Sequence, residues 1–173
     1  MLMKKILIMT LFAVVSLAAY SQNSVTVCVA DPSGSPTNIR NAPNGKVVYQ
    51  MTDSEFCTVD IVSVKNGWWK ITPEVEMWGD DEKTIPLKGS TTGYWIHKSV
   101  LGFGIAGDPE GCLRTAPSKG AKAVKIALSD YAELYLEPLL IKGSWIKVMS
   151  KNKKYTGWMP IDRICFNPLT TCP

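Results

Sequence analysis

The sequence predicts an all-β fold built as two small β-barrels in tandem. Three observations carry that expectation. The chain repeats itself, its apolar residues fall in short segments separated by turn signals, and no long amphipathic helix can be traced after the first 21 residues. Composition is compatible: 173 residues, 46% hydrophobic, 20% charged and 9% aromatic, with a formal charge of +4. Those values exclude wholesale disorder, a collagen-like fibre and a dense disulfide knot.

The first segment differs in kind from the rest. Lys4 and Lys5 precede an apolar run from Ile6 to Ala19, and Ala19-Tyr20-Ser21 puts small residues at the −3 and −1 positions of a cleavage site. Fourteen apolar residues fall short of the ~20 needed to cross a bilayer core. Residues 1–21 are therefore read as a signal peptide, cut before Gln22, that leaves no stable membrane anchor. The expected location is exported, periplasmic or extracellular, where disulfides are permitted.

The repeat is read from three echoes in the same order. Arg40-Asn41-Ala42-Pro43 returns as Arg114-Thr115-Ala116-Pro117, each after an Asp-Pro-x-Gly turn; Gly67-Trp68-Trp69-Lys70-Ile71 as Gly143-Ser144-Trp145-Ile146-Lys147-Val148; and Thr92-Gly93-Tyr94-Trp95-Ile96-His97 as Thr156-Gly157-Trp158-Met159-Pro160. The offset is 74 at Arg40/Arg114, 77 at Lys70/Lys147 and 63 at Trp95/Trp158, so the first copy holds about 14 extra residues. The domains predicted are 22–104, with an inserted surface loop at about 72–92, and 105–173.

Individual strands follow from local pattern. Val25, Val27 and Val29 alternate with smaller or polar residues, the period of a half-buried strand. The stretches 47–51, 56–64, 68–72, 123–128, 133–136 and 145–149 are short and rich in β-branched or aromatic residues. Asn44-Gly45, Asn66-Gly67, Lys142-Gly143 and Asn152 supply turns between them. Gly102-Phe103-Gly104-Ile105-Ala106-Gly107 satisfies G-x-G-x-x-G, but a turn and a strand follow it where a dinucleotide site needs a helix. The expected role is a flexible junction between the copies.

The three motifs resemble the bacterial SH3 (SH3b) family, whose units open with an Asn-Val-Arg-x-Gly-Pro kind of segment, carry a central Gly-Trp-x-Lys-Val and close on Gly-Trp-Val-x. Asn38-Ile39-Arg40-x-Ala42-Pro43, Gly67-Trp68-Trp69-Lys70-Ile71 and Gly93 to His97 match in the first half. Leu113 to Pro117, Trp145 to Val148 and Gly157 to Pro160 match in the second, and together they span nearly all of the chain after residue 21. Ala42 and Ala116 stand where the family usually has Gly, and Pro160 stands where the first copy has His97. The resemblance implies two SH3-like small β-barrels and a non-catalytic role in recognising peptidoglycan or its stem peptides, or another envelope protein in a structural, adaptor role.

Candidate chemistry is sparse. His97 is the single histidine, and no residues remain for the separate domain that peptidoglycan-cutting cysteine peptidases bring to such modules. No catalytic residue, cofactor or metal is expected, since the cysteines at 28, 57, 112, 165 and 172 include no C-x-x-C pair. The SH3-like arrangement, with first and last strands adjacent, implies Cys112 beside Cys165. Cys28 with Cys57 is the companion pair, and Cys165 with Cys172 the competing scheme.

Six tryptophans form the most suggestive excess. Trp68, Trp145, Trp95 and Trp158 occupy equivalent strand positions and are expected to fill the barrels. Trp69 and Trp78 lack a Trp counterpart and, with Tyr94 and Arg40, make the candidate exposed site: a groove floored by Trp69, Tyr94 and Trp95, flanked by the Trp78 loop. Residues 22–104 carry 7 basic and 9 acidic side chains and residues 105–173 carry 10 and 6. The cluster Lys151, Lys153 and Lys154 is read as a solvated turn, with no nucleic-acid partner.

Overall fold

A computed structural model describes residues 24–52, 57–79, 82–108 and 110–166. The expected signal peptide, Asp80, Asp81 and Cys172 lie outside the described residues. The fold is all-β, made of antiparallel sheets joined by 3₁₀ turns. No helix among the described residues is long and apolar enough to cross a membrane.

In the first half, β1 (Val25–Val29) pairs with β4 (Cys57–Lys65), and β2 (Thr37–Arg40) forms a hairpin with β3 (Val47–Met51). Strand β4 turns back into β5 (Trp68–Ile71) through Asn66-Gly67, both at positive φ (51° and 81°), the backbone that a two-residue type I′ turn requires. Strand β5 pairs with β8 (Tyr94–His97), and β8 in turn with β2 at Arg40.

The insertion expected as a surface loop is a hairpin. Strands β6 (Glu74–Met77) and β7 (Lys83–Pro86) pair with each other, and β6 extends the sheet by pairing with the start of β4. The pattern explains it: Val75 is fully buried between exposed Glu74 and Glu76, an alternation too short to stand out between Pro73 and Trp78.

The second half repeats this plan. Strand β11 (Leu136–Lys142) turns into β12 (Trp145–Ser150) at Gly143, and β12 pairs with β13 (Thr156–Pro160). Arg114 bridges both Ala123 and Trp158, as Arg40 lies between β3 and β8. The register is also shared. Lys70 faces Trp95 as Lys147 faces Trp158, Trp69 faces Ile96 as Ile146 faces Met159, and Trp68 faces His97 as Trp145 faces Pro160. Two strand expectations fail here. The 123–128 stretch keeps only the bridge at Ala123, and β11 begins where 133–136 was expected to end, running through Pro138 at a register shift that tolerates its missing N–H.

The junction between the halves is structured rather than flexible. Strand β9 (Leu101–Gly102) pairs with β1, Phe103 exchanges two backbone hydrogen bonds with Leu136, and β10 (Gly104–Ile105) pairs with β14 (Ile164–Cys165). The buried apolar residues of both halves form one continuous core, with Trp69 and Phe103 its largest fully buried side chains.

Candidate functional site

Strand alternation decides which aromatic residues reach solvent. On β5, Trp69 and Ile71 are buried while Trp68 and Lys70 are half-exposed; on β8, Tyr94 and Ile96 are buried while Trp95 and His97 are half-exposed. The expected groove floor is therefore overturned at two positions. Trp69 is 0% exposed and hydrogen-bonded through Nε1 to the Pro138 carbonyl at 3.1 Å. Tyr94 is 7% exposed, its hydroxyl donating to the Leu87 carbonyl at 3.0 Å. The four paired tryptophans assigned to the barrel interiors, Trp68, Trp95, Trp145 and Trp158, are all half-buried.

What the outer face of β2, β8 and β5 does bring together is Arg40, Trp95, Lys70, Trp68 and His97. The Arg40 guanidinium carbon lies 5.8 Å from the Trp68 ring centroid, and the Trp68 and His97 rings meet edge to face at 5.0 Å. Arg40 is fixed by donating from Nη1 to the Gly45 carbonyl at 2.7 Å. Gly93, at φ 111°, keeps the path between Lys70 and Trp95 narrow: a Cβ there would stand 2.9 Å from Lys70 Cε and 3.6 Å from Trp95 Nε1. Trp68, Lys70 and His97 were missed as site residues. The signal was present, because Lys70 between Trp69 and Ile71 marks the solvent face, and Trp68 shares that face.

The second half carries the same constellation: Arg114, Trp145, Lys147 and Trp158, with Pro160 at the place of His97. Arg114 is held as Arg40 is, donating from Nη1 to the Ala121 carbonyl at 3.3 Å. Trp78 stays with the hairpin, its Nε1 donating to Thr58 Oγ1 at 3.0 Å, and lines a groove of about 340 Å³ with Glu76, Glu82 and Lys83.

His97 is bonded at Nδ1 to the Ser99 hydroxyl at 2.8 Å, and its pKa is lowered by burial and by neighbouring Lys98, against an opposing pull from Glu137. Lys98 forms an ion pair with Glu137 at 2.7 Å, which links the two halves. The lysine turn is only partly solvated. Lys151 Nζ donates to the Ser99 carbonyl at 2.6 Å and Lys154 pairs with Asp130 at 2.6 Å.

The expected disulfides are corrected. Cys28 and Cys112 are buried free thiols, so neither Cys28–Cys57 nor Cys112–Cys165 forms. Cys28 stands opposite Thr58, which puts its side chain on the other face of the sheet from Cys57. Cys165 lies on β14, whose partner is β10 rather than the segment holding Cys112, and it is disulfide-bonded. Burial pushes the Cys28 and Cys112 thiols up, away from thiolate character. Among the described residues no group of three or more His, Cys, Asp or Glu could hold a metal ion.

No protein-family model matches the chain, and no curated protein matches it. Among solved structures it is similar to NlpC1 from Trichomonas vaginalis, at 13% identity and a TM-score of 0.32 over 86% of this chain and 48% of that one. It is also similar to NlpC2 from Trichomonas vaginalis, at 13% identity and a TM-score of 0.29 over 84% and 49%. The chain spans about half the length of these two proteins.

Proposed function

We propose that this chain is an exported, non-catalytic binding module of two SH3b-like units that recognises cell-wall peptide or glycan. The observation that carries the reading is the repeated outward face, Arg40-Trp68-Lys70-Trp95 and Arg114-Trp145-Lys147-Trp158. Each face offers two half-exposed indoles, on which a sugar ring or an apolar side chain stacks. Each also offers an anchored Arg whose fork suits a carboxylate. The absence of a catalytic role is supported by the thiols of Cys28 and Cys112, whose burial works against nucleophilic use, and by the engagement of His97 with Ser99 and Trp68.

The test is sedimentation of the purified protein with isolated, insoluble peptidoglycan. Wild type is expected to pellet with the walls, and Trp68→Ala with Trp95→Ala to lose most of that binding while its circular dichroism stays unchanged. Wild type remaining in the supernatant sinks the ligand, and full binding by the double variant sinks the face.

An envelope protein-protein adaptor is the second reading. It is favoured by the ties that join the halves into one block, Trp69 to Pro138, Lys98 to Glu137 and Lys151 to Ser99, because a rigid pair of faces suits bridging two partners.

A further inference from the structure

The second half carries a cleft whose basic lining is not repeated at the matching positions of the first half. Beside the outward face lies a cleft of about 270 Å³, with Arg114, Lys119 and Arg163 around it and Trp145 and Pro160 as its apolar side. Gly111 and Cys112 complete the lining, which contains no acidic residue. In the first half Gly45 and Val47 take the places of Ala121 and Ala123, so Lys119 falls in a turn two residues longer than its counterpart, and Arg163 corresponds to Val100 at the offset of 63. Three cations therefore converge where the first half has one.

The two guanidiniums are held in place, while Lys119 sits at an exposed turn. Arg163 donates from Nε to the Ala106 carbonyl and from Nη2 to the Asp108 carbonyl, both at 2.7 Å, which fixes the plane of its guanidinium. Arg114 is fixed by the Ala121 carbonyl. Arg114 and Arg163 line the same cleft as Cys112, and both guanidiniums oppose the rise that burial and the Asp162 carboxylate impose on its thiol. Two fixed guanidiniums and an ammonium around a small cleft recognise a compact anion, and the Arg fork matches a carboxylate best. The indole and proline wall adds a requirement for an apolar group beside that anion, and the volume limits the ligand to one or two residues.

We propose that this cleft binds the free C-terminal carboxylate of a peptide whose last side chains pack on Trp145 and Pro160. The proposal rests on the binding-module reading only in using the outward face of the second half.

The experiment follows the Trp145 indole and the neighbouring backbone amides by NMR. The full chain is titrated with N-acetyl-Ala-Ala bearing a free carboxylate, with its C-terminal amide, and with inorganic phosphate. The acid is expected to shift these resonances and the amide to bind at least about tenfold more weakly, the loss of a charge-assisted bond. Phosphate is expected to bind more weakly than the acid. Lys119→Glu, at an exposed turn, and Arg163→Gln are each expected to weaken the acid several-fold. Equal binding of acid and amide, phosphate matching the acid, no shift with the acid, or unchanged binding by both variants overturns the proposal. Trp68→Ala with Trp95→Ala is expected to keep the peptide acid, and wild type that binds the acid but stays in the supernatant with walls counts against the peptidoglycan reading and not against this cleft.

Discussion

The Trp69 indole nitrogen donates a fully buried hydrogen bond to the Pro138 carbonyl oxygen at 3.1 Å, so the largest core side chain of the first half ends on the backbone of the second. The acceptor sits at the register shift between Pro138 and Leu140, where the ladder with β12 is interrupted. An indole is long enough to fill the core and still satisfy that carbonyl, and no smaller side chain does both.

Replacing Trp69 by Ala is expected to cost about 3–5 kcal/mol, since it opens a cavity in the shared core. Trp69→Phe keeps most of the volume but orphans the Pro138 carbonyl, and is expected to cost about 1–3 kcal/mol. Because the core is continuous across the halves, denaturant unfolding of wild type is expected to be one transition, coincident by tryptophan fluorescence and far-UV circular dichroism. Two separated transitions would show that the halves fold independently and that this bond is marginal.

The neighbouring residue should behave in the opposite way. Trp68 lies on the outer face beside Arg40 and His97, so Trp68→Ala is expected to cost only roughly 1 kcal/mol, chiefly lost ring and cation contacts. Comparable losses for Trp68→Ala and Trp69→Ala in urea midpoints would mean that the two faces of β5 are not as different as their burial indicates.

That pair also shows what could be read in advance. Short β-branched segments and Asn-Gly or Lys-Gly turns were enough for most strands, and the internal repeat carried the shared register. The exposed face was misjudged because pairing Trp with Trp between copies was given more weight than alternation within a strand. Ile146 and Val148, which align with Trp69 and Ile71, already marked the buried phase, and Trp145 with Lys147 the outer one. The insertion hairpin and the Pro138 strand escaped notice for a different reason. Each depends on a tertiary partner, β4 or the register shift in β11, that local pattern does not contain. The cysteines needed sheet parity, since adjacent strands place Cys28 and Cys57 one residue out of phase.

Gly102 offers a sharp test of the structured junction. A Cβ at this position would fall well inside contact distance of the Tyr135 ring, and Tyr135 is itself half-buried; that burial, and after it the neighbouring Cys28, raise its hydroxyl pKa beyond the ordinary phenol range. Gly102→Ala is therefore expected to cost about 1–3 kcal/mol through overpacking. In a Tyr135→Ala background most of that penalty should vanish, a non-additivity readable from denaturant midpoints. An equal cost in both backgrounds would remove the Tyr135 ring as the constraint.

His97 is the chain's single histidine, so its ring resonances report one site. Burial and Lys98 hold its pKa below the 6.5 of an unperturbed imidazole. The folded state therefore prefers the neutral ring. This contribution is fully present above pH about 6.5, the unfolded value, and is lost as pH falls from there through the lower folded value. NMR titration is expected to give a midpoint below 6.5, with the Trp68 ring shifting in step because it meets His97 edge to face. The carboxylate of Glu137, from the second half, opposes the depression, so Glu137→Gln should lower the midpoint further, whereas Lys98→Gln should raise it. The ring is half-exposed, so the stability change is expected to be small and weaker in high salt. A midpoint above 6.5, or one indifferent to Glu137→Gln, would mean that the Lys98–Glu137 ion pair does not bring the charge of the second half to bear on the outward face of the first.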